Sequence, residues 1–449
     1  MIQGFLCDRR RQFLCLLILL LASSSLWRLS RASSQALQPL VEPLPQDPHI
    51  QVFFNQSEAN VYTEPYRQIE RHGDHLEQII ITAIEQATQT IDVAVQELNL
   101  PKVAEALVES RRRGVKVRLI LENQYTEIEA DRIEALTLIA DGQIPQIDDT
   151  ADGSKGSALM HHKFLVIDRR WVLTGSANLT FSGIHGDADE PESRGNANAL
   201  LKIDSRAIAQ QFTNEFNLMW GDGPAAKPDG QFGLQKPSRL EQTTTLPTGL
   251  VTLQFSPTTS KVPWEQSVNG LISRTLAQAN SSIDLALFVL SEQGIANQLE
   301  AEVKAGTTLR VLIDPGFVYR NYSEALDMLG IALPDHRCKI EAQNRPWQTP
   351  IASVGSPQLL EGDKLHHKFA VIDNTTVIVG SQNWSDAANT KNDETLLVIR
   401  NPTVAAHFNR EFERLYRHPY LGATPLLQRK IEESKQKCPA QAPSLSKGG

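Results

Sequence analysis

The 449-residue chain carries the same chemical phrase twice. One copy is His161-His162-Lys163-Phe164-Leu165-Val166-Ile167-Asp168, followed by Gly175-Ser176-Ala177-Asn178. The other is His366-His367-Lys368-Phe369-Ala370-Val371-Ile372-Asp373, followed by Gly380-Ser381-Gln382-Asn383. Both read H-x-K-x4-D-x6-G-S-x-N with identical internal spacing, which leaves coincidence negligible. The duplication begins upstream. Leu76, Ile79, Ile80, Ile84 and Ala87 recur at the same spacing as Val268, Leu271, Ile272, Leu276 and Ala279, each set an apolar stripe along one helix. Each stripe runs into a β-like segment, Thr90–Val95 or Ser282–Leu287, then a helix closed by Gly114 or Gly306, then a strand at Val115–Leu121 or Thr308–Ile313. Strand alternating with helix predicts an α/β layer with a largely parallel sheet in each half. Two copies in one chain predict a pseudo-two-fold pair sharing one site between them.

Strand periodicity sets the local chemistry. His161 and Lys163 stand two residues apart and face one side of an extended segment, as do His366 and Lys368. Apolar runs flank Asp168-Arg169-Arg170 and Asp373-Asn374-Thr375, which reads in each case as two strands joined by a tight turn. That hairpin delivers G-S-x-N beside H-x-K. Gly175 and Gly380 allow close backbone approach, and Ser176, Ser381, Asn178 and Asn383 offer neutral donors. Two imidazoles, two ammonium groups and these donors suit a phosphodiester: positive charge for the non-bridging oxygens, a nucleophile and an acid.

In these motifs the chain resembles the phospholipase D superfamily, over roughly residues 50–420. The resemblance implies two pseudo-two-fold-related αβα sandwich halves with one active site at their interface, a monomer sufficing to build it. It implies a two-step reaction without metal or other cofactor, through a phosphohistidine. The catalytic set it implies is His161, His366, Lys163, Lys368, Asn178, Asn383, Asp168, Asp373 and Glu394, with Ser176, Ser381 and Asn198 on the substrate. The segment Asn392-Asp393-Glu394 aligns with Asn196-Ala197-Asn198, so Glu394 of one copy faces Asn198 of the other. A carboxylate raises the pKa of an imidazole, whereas an amide only orients it. If each pairs with the histidine of its own half, His366 is the resting acid and His161 the nucleophile, in line with the family tendency.

Several features have plainer readings. His162 and His367 alternate away from the catalytic face and pack behind it. Asp168 and Asp373 belong to the motif but fix the turn rather than move protons. A metal site on the His-His pairs is disfavoured, because adjacent strand residues point to opposite faces. Arg111–Arg113 precede Gly114 as a solvated helix end. Asp187–Glu192, absent from the second copy, reads as a surface loop.

The flanks set the domain boundaries. Arg9, Arg10 and Arg11 precede a short apolar run, Phe13–Ala22, so residues 1–36 read as a signal peptide or membrane anchor and 37–49 as a tether. Residues 50–221 form the first domain, 222–250 a Gly/Pro/Thr-bearing linker, 251–424 the second domain and 425–449 a poorly ordered polar tail. Four cysteines without close pairing exclude a disulfide scaffold, although Cys338 and Cys438 suit one bridge in an oxidising compartment. A formal charge of -8 disfavours a strongly basic nucleic-acid binder. The expectation is an exported or membrane-tethered enzyme acting on phospholipid head groups at a membrane surface. A metal-independent endonuclease using the same residues is the alternative. A phosphatidyltransferase of the cardiolipin-synthase kind and a non-catalytic binding module come behind it.

Overall fold

The computed structural model describes residues 37–123, 131–152, 159–224 and 229–439. The expected leader and the last residues of the tail lie outside them. The first half runs β1 (Ile50–Phe54), β2 (Val61–Thr63), β3 (Glu70–His72), α1 (Leu76–Glu85), β4 (Thr90–Val95), α2 (Pro101–Arg112), β5 (Lys116–Leu121), α3 (Asp131–Asp141), β6 (Gln146–Asp148), β7 (Lys163–Ile167), β8 (Trp171–Gly175), α4 (Phe181–Ile184), β9 (Ala199–Asp204) and α5 (Arg206–Trp220). The second runs β10 (Gln242–Leu246), β11 (Gly249–Phe255), α6 (Val268–Leu276), β12 (Ser282–Leu287), β13 (Leu290–Ser291), α7 (Gln293–Lys304), β14 (Thr308–Ile313), α8 (Glu324–Met328), β15 (Val354–Ser356), β16 (Lys368–Ile372), β17 (Thr376–Gly380), β18 (Trp384–Ser385), α9 (Asp386–Thr390), β19 (Thr395–Arg400), α10 (Pro402–Leu415), β20 (Tyr420–Leu421) and α11 (Pro425–Lys437).

The strands make a seven-stranded sheet, β1-β9-β8-β7-β4-β5-β6, and a nine-stranded one, β10-β11-β19-β17-β16-β12-β14-β15-β20. The expectation of a largely parallel sheet is corrected here. Within these two sheets, parallel pairing is confined to β4-β5-β6 and β12-β14-β15. The cause is the hairpin itself, since strands joined by so tight a turn must run antiparallel. Asp168 and Arg169 sit at φ 51° and 50°, and Arg170 donates its N–H to the Ile167 carbonyl at 3.0 Å, a type I′ turn. Asp373 and Asn374 repeat it at φ 50° and 56°, with Thr375 bonded to Ile372.

Three apolar clusters hold the layers. α1 and α2 pack on the outer face of the first sheet, and α6 and α7 on the outer face of the second. Between the two sheets lies a shared core in which Phe212 and Phe216 of α5 meet Phe408 and Phe412 of α10 together with strand residues of both halves. Each half is thereby a helix-sheet-helix sandwich whose inner helix belongs to a core common to both.

The boundaries shift in three places. The linker 222–250 is not open chain at its end, because β10 and β11 occupy Gln242–Leu246 and Gly249–Phe255 at the edge of the second sheet. The expected tether packs on the second half. Asn401 donates to buried Asp47, Arg410 to the Glu42 carbonyl, and His407 meets the Pro45 carbonyl. The expected polar tail begins as α11, capped by Thr424 and docked through buried Leu427 and Ile431. Its apolar residues are few but fall one turn apart on one face, enough to seat a helix. α11 ends at Cys438, joined to Cys338 by a disulfide with Cα atoms 5.4 Å apart.

Candidate active site

The two halves exchange backbone hydrogen bonds around the histidines. His161 donates its N–H to the Asp393 carbonyl at 3.0 Å, and His366 donates its own to the Ala197 carbonyl at 3.1 Å. Met160 bridges Asp393, and Ala197 bridges Leu365. This reciprocity is the signature of a pseudo-two-fold axis. It also threads the segment before Glu394 alongside His161, and the segment before Asn198 alongside His366.

The side chains therefore pair across the halves. His161 Nδ1 lies 2.7 Å from Glu394 Oε2, and His366 Nδ1 lies 3.0 Å from Asn198 Oδ1. The premise that each histidine pairs within its own half is overturned, because the interface strands bring each partner in from the opposite copy. His161, not His366, has the carboxylate, so the expectation that a carboxylate partner makes His366 the resting acid falls with that premise, and the roles of the two rings need a different argument. Neither Nε2 has a hydrogen-bond partner among the described residues, so both rings are anchored at Nδ1 and present Nε2 to the site.

The serines and Asn198, expected on the substrate, are engaged with the partners of the histidines. Ser176 Oγ donates to Asn198 Oδ1 at 2.8 Å and accepts the Ala199 N–H, while Ser381 Oγ donates to Glu394 Oε2 at 2.6 Å and accepts the Thr395 N–H. Both hydroxyls are spent on holding the groups that hold the imidazoles. Asn198 Nδ2 is likewise committed, to the Gly183 carbonyl at 2.8 Å. The glycines before the serines are steric necessities. A Cβ on Gly175 would stand 2.2 Å from the Ala199 carbonyl oxygen, and one on Gly380 2.1 Å from that of Thr395.

Asp168 and Asp373 are corrected as members of the catalytic set. Each lies at the far end of its strand from Lys163 or Lys368. Asp168 accepts the N–H groups of Thr88, Gln89 and Thr90, and Asp373 those of Asn280, Ser281 and Ser282. They clamp the hairpin to the start of the neighbouring strand, as the turn reading expected.

The lysines are buried and only partly engaged. Lys163 Nζ donates to Gln96 Oε1 at 3.0 Å and to the His161 carbonyl at 2.9 Å. Lys368 Nζ donates to the His366 carbonyl at 2.8 Å and lies 5.0 Å from the centre of the Phe288 ring. An ammonium has three donors, so both retain capacity for an anion. Asn178 Nδ2 donates to Glu97 at 2.8 Å, whereas buried Oδ1 atoms of Asn178 and Asn383 have no hydrogen-bond partner among the described residues.

Burial governs the charge states. His161 is 6% and His366 9% exposed, dry enough that desolvation dominates. Burial depresses the His161 pKa to about 4 against the opposing pull of Glu394, with Lys163 and Lys368 adding to the depression. His366 is pushed well below the ordinary histidine value by burial and then by Lys368 and Lys163. Burial also lowers Lys163 to about 8 and holds Lys368 well down. Burial alone would raise Glu394, but His161, Lys163 and Ser381 keep it below the usual carboxylate range. Burial thus biases both imidazoles toward the neutral form and opposes the charge of both lysines, while Glu394 is biased toward its ionised form; an incoming phosphate anion would favour charge on the lysines.

Behind the site stand residues that motif reasoning missed. Glu215 lies 3.4 Å from His162 Nε2, and Glu411 lies 2.8 Å from His367 Nε2. They occupy matching places in Phe212-Thr-Asn-Glu215-Phe216 and Phe408-Asn-Arg-Glu411-Phe412, so a second duplicated pattern, F-x-x-E-F, could have revealed them. Lys236, in the supposed linker, is buried between Glu215 and Asp393, at 2.5 and 2.8 Å. It thereby braces the residue preceding Glu394, and no sequence pattern marked it.

Comparison with known proteins bears on the family and the fold. The family model described as "Cardiolipin synthase, PLD-like domain" matches residues 80–220 and again 272–416, together more than half the chain. Mitochondrial cardiolipin hydrolase of Xenopus tropicalis is 27% identical over 158 residues, covering 35% of this chain and 67% of that protein. Phospholipase D of Rickettsia prowazekii is 28% identical over 133 residues, covering 30% and 57%. Among solved structures, phosphatidylserine synthase from Haemophilus influenzae matches the fold with TM-score 0.57 at 12% identity, over 89% of this chain and 95% of that one. The doubled family match falls on the two halves that build the paired imidazoles, and the chain belongs to the phospholipase D superfamily.

Proposed function

We propose that the protein is a phosphodiesterase that hydrolyses phospholipid head groups through a phosphohistidine. The observation that carries the reading is the cross-half anchoring of both Nδ1 atoms, which leaves two Nε2 atoms and two buried ammonium groups for one phosphate. His161 is the nucleophile. Its Nδ1–H donates to Glu394, so the Nε2 lone pair is free and the positive charge that develops on attack is stabilised by a carboxylate. His366 is the acid, since an amide at Nδ1 stabilises its imidazolium less and leaves it readier to give up a proton.

In the first step a bond forms between His161 Nε2 and phosphorus, and the bond to the head-group oxygen breaks. That oxygen takes the Nε2 proton of His366, charged once the bound phosphate offsets the lysines. In the second step His366 Nε2 takes a proton from water, the water oxygen bonds to phosphorus, and the phosphorus–nitrogen pair returns to His161. Lys163 and Lys368 stabilise the non-bridging oxygens in both.

Lipid is favoured over nucleic acid by the acidic formal charge of -8 and by the names of the relatives, a cardiolipin hydrolase and a phospholipase D. An exported site of action, at a membrane surface, is supported by the Cys338–Cys438 bridge, which persists in oxidising compartments. Among the described residues no helix is long and apolar enough to cross a membrane. Purified protein in EDTA is offered phosphatidylcholine vesicles, cardiolipin vesicles and plasmid DNA separately. Head-group or phosphatidate release without nicking is expected; nicking alone would replace the reading with a nuclease.

A further inference from the structure

A second cluster of chemistry lies outside the catalytic pair, in the first half only. His75, Glu77 and His185 each offer one ligand atom, all within 4.8 Å of one another. They come from three places: the residue capping α1, its first turn, and the residue following α4. The β2-β3 hairpin walls them in. Tyr62 stacks on His75 with ring centres 4.4 Å apart, and Tyr66 meets His185 edge-on at 5.4 Å.

Hydrogen bonding accounts for only part of the cluster: His185 Nε2 bonds to Glu77 at 2.9 Å, but two buried ring nitrogens are left over. His185 is 1% exposed, and among the described residues neither its Nδ1 nor the buried Nε2 of His75 has a hydrogen-bond partner. Glu77, also 1% exposed, receives the Tyr66 hydroxyl at 2.5 Å and lies 2.9 Å from His185 Nε2, yet no lysine or arginine pairs with it among the described residues. A carboxylate so deeply buried calls for a compensating charge. Beyond it, Glu64 Oε1 stands 4.0 Å from His185 Nδ1. At that distance the two do not hydrogen-bond, and the Glu64 carboxylate accepts the Tyr66 and Arg67 N–H groups, so it adds only negative charge near the cluster.

We propose that His75, Glu77 and His185 bind one zinc-class divalent cation. Nitrogen and oxygen ligands around tetrahedral zinc stand about 3.3 Å apart. The Glu77 oxygen lies 2.9 Å from His185 Nε2 and 4.0 Å from His75 Nε2, on either side of that value, so small side-chain movements close the site. The second half carries Ser267, Asn269 and Thr390 at the matching positions, so the cluster is not part of the duplicated catalytic plan. The ion would tie the hairpin and α1 to the loop after α4. That loop is also held by Arg67 and Arg71 through the His185 carbonyl, and within α4 just before it the Gly183 carbonyl accepts the amide of Asn198. The bound cation is therefore structural, linked to His366 only through α4 and Asn198.

The test is direct metal binding by the full chain, stripped with chelator and titrated with Zn2+ against a chromophoric competitor. One equivalent per chain is expected. Glu77→Gln and His185→Gln should each weaken it by about tenfold to a hundredfold, and His161→Ala should leave it unchanged, separating this site from the catalytic imidazoles. Zn2+ should raise the melting temperature of the parent chain but not of His75→Ala, a partly exposed position whose replacement leaves the core intact even if the buried variants fail to fold. Absence of stoichiometric binding, or binding that His75→Ala and Glu77→Gln leave untouched, overturns the proposal.

Discussion

At the scale of single residues, the asymmetry between Glu394 and Asn198 separates two otherwise equivalent histidines. Because Glu394 sits 2.7 Å from His161 across the interface, its charge acts on the ring assigned to attack. Glu394→Gln keeps an acceptor but removes that charge, so kcat in single-turnover hydrolysis should fall on the order of 10²-fold with KM little changed. A matching fall in KM would point instead to lost ground-state strain. Protonation supplies a second expectation. His161 stays neutral in the folded chain down to about 4, mainly through burial, whereas the unfolded chain takes up a proton near 6.5. Between those values the unfolded state binds more protons, so stability declines as pH falls through that window, by about 3 kcal/mol from this group. His161→Gln should flatten the corresponding slope in denaturant midpoints measured from pH 7 to pH 4; an unchanged slope would remove His161 from the acid response.

At the scale of elements, the hairpin is the device that makes the motif work. Its I′ turn, clamped by Asp168 or Asp373, sets the antiparallel register that places Phe164 opposite Thr174 and Phe369 opposite Val379. The invariant offset between H-x-K and G-S-x-N is the length of that hairpin. α11 shows the opposite case, a segment whose polar composition hid a docking face. Leu427 is fully buried beneath it, so Leu427→Ala should cost about 2–5 kcal/mol in chemical denaturation. A cost near zero would mean that the helix is not seated on the second sheet's outer core.

For the whole molecule, the shared core and the reciprocal strand bonds make the two halves one catalytic body. Each imidazole depends on a partner from the other half, and both halves lie on one chain. A mixture of His161→Ala and His366→Ala proteins should therefore remain inactive in the head-group assay. Recovery toward the parental rate would show that the site assembles between chains instead. The same coupling explains Lys236. A residue in the connecting segment, buried against Glu215 of one half and Asp393 of the other, ties the connection itself to the site.

The amino-acid order by itself determined the duplication, the paired H-x-K and G-S-x-N motifs, the tight turns and the helical stripes, because each rests on contacts between residues close in the chain. It also marked Glu394 and Asn198 as counterparts. Which histidine each one serves was decided only in three dimensions, since strand exchange across the pseudo-two-fold joins residues hundreds of positions apart and no local spacing encodes it. The mixed sheets, the seated α11 and the buried Lys236 belong to the same class. Each is an outcome of packing between distant segments, where burial and available partners, rather than composition, settle the conformation.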